Sequence, residues 1–215
     1  MGDPIFDAFY SSNVEFILNA TYQESTVQAA GAKLLDRIGK PVILLGHSQG
    51  GIMPPLIADA RPNLTEAIIL LEPSGPPFEN AVTSNSSARP YGLTDIPLTY
   101  SPPVVNASAD LVQQTYPVPE NATEYLVPCT LQAETPSPKQ LVNLASKPIL
   151  LLTSQASYHA PYDYCTAKYY QQAGCSKAEY LRLPDVGVDG NGHMMFLEKN
   201  SDVIAGVLQE WIEKL

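Results

Sequence analysis

The sequence predicts an α/β fold in which a mostly parallel sheet carries helices on both faces. Four segments are short, continuous apolar runs, which is the pattern of strands that are buried on both sides. Stretches with helical periodicity alternate with these runs along the chain. The predicted strands are 41–45, 66–71, KPILLLTS from Lys147 and EYLRLPDV from Glu179.

Four helices are predicted before, between and after these strands. The first begins with Ser25 and Gln28, which have the spacing of a capping box, and it ends at Gly39. The apolar positions of this helix are Val27, Ala30, Leu34 and Ile38. The predicted helices cover residues 25–39, 49–60, 161–173 and 201–215.

Residues 73–145 differ in composition from the rest of the chain, because Pro, Ser, Thr, Asn and Tyr dominate there. Only short helical pieces are predicted, near 107–115 and 138–144. A long irregular segment is usually either functional or disordered. We therefore expect one domain, 1–215, with 73–145 inserted as a cap or lid. Four tyrosines of this segment either line a pocket or pack the cap onto the core: Tyr91, Tyr100, Tyr116 and Tyr125.

The composition is acidic, with 12 basic and 22 acidic residues, a formal net charge of −10 and a pI near 4.6. Because such a surface repels phosphate groups, nucleic acids and anionic membranes are not expected as partners. No apolar run approaches the roughly 18 residues that a membrane span needs. Twenty prolines and five Asn-X-Ser/Thr sequons predict a secreted glycoprotein. The sequons begin at Asn19, Asn63, Asn85, Asn106 and Asn121.

The three cysteines and the N-terminus bear on the same question of secretion. Cys165 and Cys175 flank a predicted helix and turn, so we expect a disulfide between them. Cys129 is then either a free buried thiol or the partner of a cysteine outside this chain. The N-terminal segment MGDPIFDAFYSS is not a signal peptide, because it has no basic region and no apolar core.

The segment PVILLGHSQGG joins a predicted buried strand to a predicted helix through a Gly-X-Ser-X-Gly motif. This context predicts a nucleophile elbow with Ser48 as the nucleophile. Gly46 and Gly50 would let the backbone close around a strained serine, and His47 lies inside the elbow. The N-terminus of the following helix would point at a developing oxyanion. The alternative interpretation is an ordinary turn.

A serine hydroxyl needs a base to act as a nucleophile, and the chain has three histidines. His193 lies in DGNGHMMF, a Gly-rich loop between the fourth strand and the final helix, and it is the predicted base. His47 cannot easily reach back to the hydroxyl of its sequence neighbour. His159 follows the third strand, and we expect it at the surface or on a pocket wall.

The base needs an acid to orient it, and Glu72 is the predicted acid. Glu72 ends the apolar run IILLE, and the carboxyl end of a parallel strand is where such sheets place their sites. A buried carboxylate is costly without a partner. Asp163 is the alternative acid, although it lies well inside the segment after the third strand. No cluster of histidine, cysteine and carboxylate residues has metal-ligand spacing, so neither a metal nor an organic cofactor is expected.

Three motifs together, GHSQGG, EPSGPPF and GNGHMMFLEKNS, resemble a family of secreted bacterial and fungal esterases with the α/β-hydrolase fold. The resemblance extends from about residue 25 to the C-terminus. It implies a carboxylic-ester hydrolase in which Ser48 is the nucleophile, His193 the base and Glu72 the acid after the sixth strand. It also implies that Gln49 donates its backbone amide to the oxyanion hole, and that the partner is a small-molecule ester.

The chain departs from that family upstream of the serine, because only 47 residues precede Ser48. These residues are too few for the early strands, and they include no His-Gly or Gly-Gly turn for a second oxyanion amide. We therefore expect the chain to be the C-terminal two-thirds of a longer secreted esterase, with strand 41–45 at a sheet edge. Two other interpretations remain open, namely a thioesterase or acyltransferase on the same residues and a hydrolase fold that binds without catalysis.

Overall fold

The computed structural model describes residues 2–81, 84 and 86–215, so the predicted sequon at Asn85 lies outside the described residues. The helices are α1 (Pro4–Ser11), α2 (Ala20–Ile38), α3 (Met53–Ala60), α4 (Ala107–Asp110), α5 (Asp163–Gln172) and α6 (Ser201–Ile212). The strands are β1 (Val42–His47), β2 (Thr65–Leu71), β3 (Tyr100–Ser101), β4 (Gln113–Tyr116), β5 (Cys129–Gln132), β6 (Gln140–Leu141), β7 (Ile149–Thr153) and β8 (Ala178–Arg182). Short 3-10 helices cover Ser48–Ile52, Pro62–Leu64, Leu183–Val186 and Met195–Leu197.

The four apolar runs form one parallel sheet with the strand order β1-β2-β7-β8. All four predicted strands and their parallel arrangement are therefore confirmed. The first strand lies at an edge of this sheet, as predicted, and the side chain of Leu45 is half exposed there. Because the strands are parallel, their carboxyl ends meet at one edge of the layer.

Helices cover both faces of the sheet, which confirms the predicted α/β class. Successive residues of β2 point to opposite faces, as the two-residue period of a strand requires. Ile68 and Leu70 join a cluster with Leu56 of α3 and residues of α5, whereas Ile69 joins a second cluster with Trp211 of α6. The core is thus divided between the two faces of the sheet.

Helix α2 begins five residues earlier than predicted. Asn19 caps it by accepting a hydrogen bond from the backbone amide of Tyr22, at 3.0 Å. The predicted capping box is therefore wrong: Ser25 lies inside the helix, and Gln28 donates its side-chain amide to the carbonyl oxygen of Leu56 at 3.1 Å. The predicted end is confirmed, because Gly39 adopts the left-handed conformation with φ 69°.

The face of α2 that packs on the protein agrees with the predicted one only in part, because Val27 packs against the core as predicted. Ala32 and Leu35 are buried, whereas Leu34 is 58% exposed and Ile38 is 41% exposed. The close approach of α2 to α3 at Gly31 selects this face, because a Cβ on Gly31 would lie 2.4 Å from Ile57 Cδ1. Packing against a neighbouring helix therefore overrides the apolar spacing.

The segment between β2 and β7 contains two small antiparallel sheets, in which β3 pairs with β6 and β4 pairs with β5. Only residues 107–110 of the predicted helical piece 107–115 are helical. The piece 138–144 contains strand β6, because Leu141 pairs with Tyr100. Partners that are distant in sequence thus replace the local helical preference in both pieces.

The predicted disulfide between Cys165 and Cys175 is wrong, because Cys165 pairs with Cys129 at a Cα–Cα distance of 5.3 Å. Strand β5 packs against α5 and so places Cys129 beside Cys165. The observed bond ties β5 of the inserted segment to α5. Cys175 is a buried thiol, and burial raises its pKa to about 12.

In the part of the chain that the structure describes, no helix combines the length and the apolar character that crossing a bilayer requires.

Glu24 attaches α2 to the inserted segment. Its fully buried carboxylate accepts hydrogen bonds from the backbone amides of Asp95, at 2.9 and 3.1 Å, and of Ile96, at 2.9 Å. Burial raises the pKa of Glu24 to about 7, and the backbone hydrogen bonds only partly oppose this rise. The folded chain therefore holds a proton on Glu24 at pH values where an unfolded glutamate has released it.

Replacing Glu24 by Gln should flatten the pH dependence of stability. Because the folded pKa is raised from 4.5 to about 7, this carboxyl group makes the folded state less stable as the pH rises through that window. The urea midpoint of the wild-type chain should therefore fall more between about pH 5 and about pH 8 than that of Glu24→Gln. Glu66→Gln, at an exposed position of β2, should keep the wild-type slope. Equal slopes for Glu24→Gln and the wild type would contradict this prediction.

Candidate active site

Ser48 directly follows β1 and is the first residue of the 3-10 helix that precedes α3. Its φ of 56° is in the left-handed region, which costs energy for a residue with a side chain. Its carbonyl oxygen accepts a hydrogen bond from the backbone amide of Ser74 at 2.9 Å, so the turn is tied to the segment that follows β2. A strained serine between a strand and a helix is the geometry of a nucleophile elbow.

Two glycines allow this turn to be so tight, and only one of them was predicted. A Cβ on Gly46 would lie 2.5 Å from the carbonyl oxygen of Gly50, and one on Gly51 would lie 2.7 Å from Pro73. Gly50 itself has no such neighbour within 4 Å, so the expectation that it permits a close approach is wrong. The close approach that was predicted at Gly50 is found one residue later, at Gly51, which faces Pro73.

Glu72 follows β2 and is completely buried. One carboxylate oxygen accepts a hydrogen bond from the backbone amide of Ser154 at 2.8 Å. The other accepts bonds from the hydroxyl of Ser157 at 2.6 Å and from the ring of His193 at 2.5 Å. Both serines follow β7, so the neighbouring strand supplies two of the three donors.

His193 lies between Glu72 and Ser48. Its Nδ1 is 2.5 Å from Glu72 Oε2, and its Nε2 is 2.9 Å from Ser48 Oγ. Because a carboxylate can only accept, the proton on Nδ1 is donated to Glu72, and Nε2 is left to accept from the serine hydroxyl. The structure thus brings the three predicted residues into one hydrogen-bonded chain.

Aromatic rings surround the His193 imidazole. The ring of His159 stacks on it with centroids 4.7 Å apart, and the rings of His47 and Tyr158 lie at 4.4 and 4.8 Å. His47 Nε2 also donates a hydrogen bond to the carbonyl oxygen of His193 at 2.9 Å. Burial lowers the pKa of His47, and it lowers the pKa of His159 to about 4. Both neighbours therefore stay neutral near pH 7 and do not oppose a positive charge on His193.

The loop that carries His193 is held by its own polar residues. Asn191 donates hydrogen bonds to Glu198 at 2.6 Å and to Asn200 at 2.7 Å. The backbone amide of Gly192 donates to Glu198 at 2.7 Å. These contacts fix the backbone on both sides of the imidazole, so its position does not rest on Glu72 alone.

Asp163, the alternative acid, is buried in a different set of contacts. It accepts hydrogen bonds from the Thr153 hydroxyl at 2.6 Å and from His159 Nδ1 at 2.9 Å. Burial raises the pKa of Asp163 well above its usual range. Asp163 therefore contacts His159, whose ring stacks on the His193 imidazole, and it forms no hydrogen bond with His193 itself.

A cavity of about 160 Å³ opens beside the Ser48 hydroxyl. One side comes from the segment after β2, and the other side comes from the loop after β7. The described residues that line it are Ser48, Ser74, Gly75, Asn80, Ala81, Arg89, Tyr158, His159 and Tyr162.

Comparison with known proteins identifies the family of this chain. The family model described as "Alpha/beta hydrolase family" matches residues 7–207. The chain belongs to the alpha/beta hydrolase family.

Among curated proteins, this alpha/beta hydrolase is similar to "Probable secreted lipase phiG" from Fungal sp. (strain ATCC 74256). The two are 44% identical over 214 residues. The match covers 100% of this chain but 57% of the relative's length. Among solved structures, the chain resembles "The Atomic Resolution Structure of a Novel Bacterial Esterase" with a TM-score of 0.51 and 21% identity. That match covers 87% of this chain and 42% of the esterase, and it shows the fold alone.

Several residues of the candidate site were not predicted. No local sequence motif marks the residues that were missed, which are Ser157, Arg89 and Tyr162. Each of them reaches the site only through the folding of distant segments. None of the four tyrosines predicted in the inserted segment lines this cavity. Tyr100, for example, is buried and bonds to the hydroxyl of Tyr169 at 2.9 Å, so it packs the segment onto the core. His159 is a buried wall residue and not a surface residue.

The spacing of residues along the sequence also did not predict a set of groups that could hold a metal ion. Glu72, His159 and His193 each offer a ligand atom, and these atoms lie within 4.8 Å of one another. An ion there would have to replace the hydrogen bonds that Glu72 and His193 already make. The same atoms can therefore either bind a metal ion or form the hydrogen bonds that link Glu72, His193 and Ser48, but not both.

The elbow glycines provide a matched pair of variants. Gly46→Ala should lower the free energy of unfolding by about 1–3 kcal/mol, because its Cβ would overlap the backbone of Gly50 and Gly51. Gly50→Ala should change this free energy by less than about 0.5 kcal/mol, because the added methyl group meets open space. Urea unfolding of both variants measures the difference. An equal loss in both variants would contradict the assigned contacts.

Proposed function

We propose that the chain is a serine hydrolase that cleaves carboxylic esters through an acyl-enzyme. The observation that carries this proposal is the hydrogen-bonded chain from Glu72 through His193 to Ser48. In this proposal Ser48 is the nucleophile, His193 is the general base and Glu72 holds the imidazole in the reactive tautomer. Membership of the alpha/beta hydrolase family supports the same assignment.

The proposed first step is attack of Ser48 Oγ on the ester carbonyl carbon. His193 Nε2 takes the hydroxyl proton as the new C–O bond forms, and the resulting imidazolium is stabilised by the buried carboxylate of Glu72. The imidazolium then gives that proton to the departing alcohol. A water molecule repeats the sequence on the acyl-enzyme, with His193 again as the base, and releases the carboxylic acid.

The tetrahedral oxyanion needs donors that are already in position. We assign one of them to the backbone amide of Gln49, which directly follows the nucleophile. The Tyr158 hydroxyl is the second candidate, because Tyr158 lines the cavity beside Ser48. Burial raises the pKa of Tyr158, so its hydroxyl stays protonated and able to donate.

The relative named as a secreted lipase supports an ester substrate and an extracellular location for this chain as well. Four predicted sequon asparagines are exposed, at Asn19, Asn63, Asn106 and Asn121, and they are accessible to glycosylation. In this proposal the segment 73–145 acts as a cap, because Ser74, Asn80 and Arg89 contribute one side of the cavity.

Turnover of 4-nitrophenyl acetate by two acid variants tests this function. Glu72→Gln should lower kcat/KM by about 10²–10⁴-fold, because a neutral amide neither stabilises the imidazolium nor enforces its tautomer. Asp163→Asn should lower it by less than about tenfold, because Asp163 does not touch His193. Both changes remove one buried carboxylate, so each variant controls for the other.

Absence of turnover in the folded wild-type chain would contradict the proposed function. A larger loss in Asp163→Asn than in Glu72→Gln would instead assign the acid role to Asp163. Circular dichroism and urea midpoints of both variants separate these outcomes from simple unfolding.

A further inference from the structure

The cavity beside Ser48 has an unusual charge for this chain. The protein carries a formal net charge of −10, yet none of the described residues that line the cavity is acidic. The one charged lining residue is Arg89, since His159 is neutral near pH 7. An acidic protein therefore has a positive charge in the wall of the cavity that its candidate nucleophile also lines, and such a charge attracts anions.

Arg89 is only 6% exposed, and its guanidinium is held mainly by neutral groups. Nη2 donates hydrogen bonds to the carbonyl oxygens of Pro76, at 2.8 Å, and of Glu79. Nη1 donates to the side-chain oxygen of Asn80 at 3.3 Å. Among the described residues, Nε has no hydrogen-bond partner. Part of the donor capacity of this buried cation is thus unused.

A buried guanidinium without a carboxylate in contact is costly. Burial lowers the pKa of Arg89, and the carboxylates of Asp95, Glu24 and Glu79 raise it from a longer range. No acidic side chain among the described residues forms an ion pair with Arg89. Other arginines of the same chain do form such pairs, for example Arg61 with Asp36 at 2.7 Å. Arg89 is thus a buried arginine that has no carboxylate in contact with it among the described residues.

We propose that Arg89 binds a carboxylate group of the substrate, so that the preferred ester is a monoester of a short dicarboxylic acid. This inference rests on the proposed function of Ser48 and adds the substrate class to it. The donors that the protein leaves unused, Nε–H and one hydrogen of Nη1, can each give a charge-assisted hydrogen bond to a carboxylate oxygen. Asn80 and Tyr162 line the same cavity, and burial raises the pKa of Tyr162, so its hydroxyl stays protonated and able to donate.

The size of the cavity favours a short acid. Its volume of about 160 Å³ is close to that of a cavity of about 150 Å³ that holds one benzene molecule. A glutaryl group, with a carbonyl at one end and a carboxylate at the other, is of comparable size. Ser48 and Arg89 line the same space, so one small acyl group can address both of them.

Two esters that differ at one terminal group test the proposal. The 4-nitrophenyl monoester of glutaric acid and 4-nitrophenyl pentanoate have acyl chains of the same length, but only the first ends in a carboxylate. The wild-type chain should hydrolyse the glutarate with a kcat/KM at least about tenfold higher, since a charged hydrogen bond contributes about that factor or more. A wild-type ratio at or below one would overturn the proposal, whatever the variants do.

Variants of Arg89 locate the effect. Arg89→Gln should lower the ratio of glutarate to pentanoate turnover by about 10–10²-fold, and Arg89→Lys should retain part of the preference because it retains the charge. Arg37→Gln removes the same charge from an exposed position of α2 and should leave the ratio unchanged. An unchanged ratio in Arg89→Gln, or an equal loss in Arg37→Gln, would overturn the proposal.

A binding measurement separates this proposal from the proposed function. Calorimetric titration of the Ser48→Ala chain with monomethyl glutarate should give binding that is lost in the double variant with Arg89→Gln. If neither ester is hydrolysed while this binding depends on Arg89, the proposed function fails and the carboxylate site stands. If the esters are hydrolysed but the binding does not depend on Arg89, the carboxylate site fails and the proposed function stands.

Discussion

The buried carboxylate of Glu72 is the constraint on which the rest of the site depends. It has no exposed surface, and an uncompensated charge in such a position is costly. Three donors contact it: Ser154 and Ser157 lie in the segment after β7, and His193 lies in the segment after β8. Satisfying this one charge therefore brings the loops after β7 and β8 against the end of β2. The position of His193 relative to Ser48 is a consequence of that convergence.

The contacts that fix this part of the fold are therefore also the contacts that position the residues of the candidate site. The parallel order β1-β2-β7-β8 puts Ser48, Glu72 and the His193 loop at one edge of the sheet. The tight packing of Gly46 and Gly51 then holds the serine in a left-handed backbone conformation. The neutral rings of His47 and His159 lie against the imidazole, so in the proposed mechanism the charge on His193 is stabilised by the carboxylate. Stability and the proposed reactivity thus depend on the same few contacts.

The predictable part of the structure is the part that is encoded locally. The four apolar runs, the turn at Ser48 and the acid at the end of a strand each depend on a few consecutive residues, and the sequence predicts them. The buried face of α2, the disulfide of Cys129 and the lining role of Arg89 depend instead on segments that meet only after folding. Cys165 illustrates the difference. Its nearest cysteine in sequence, Cys175, lies beyond the end of the same helix, whereas its disulfide partner Cys129 belongs to a strand that is distant in sequence.

Phosphonylation by a fluorophosphonate, followed by peptide mapping, tests most directly whether the contact of Glu72 with His193 activates Ser48. The wild-type chain should carry the label on Ser48, and His193→Gln should label far more slowly while keeping its fold. A label on any other residue, or an equal labelling rate without His193, would contradict the central role of this hydrogen-bonded chain.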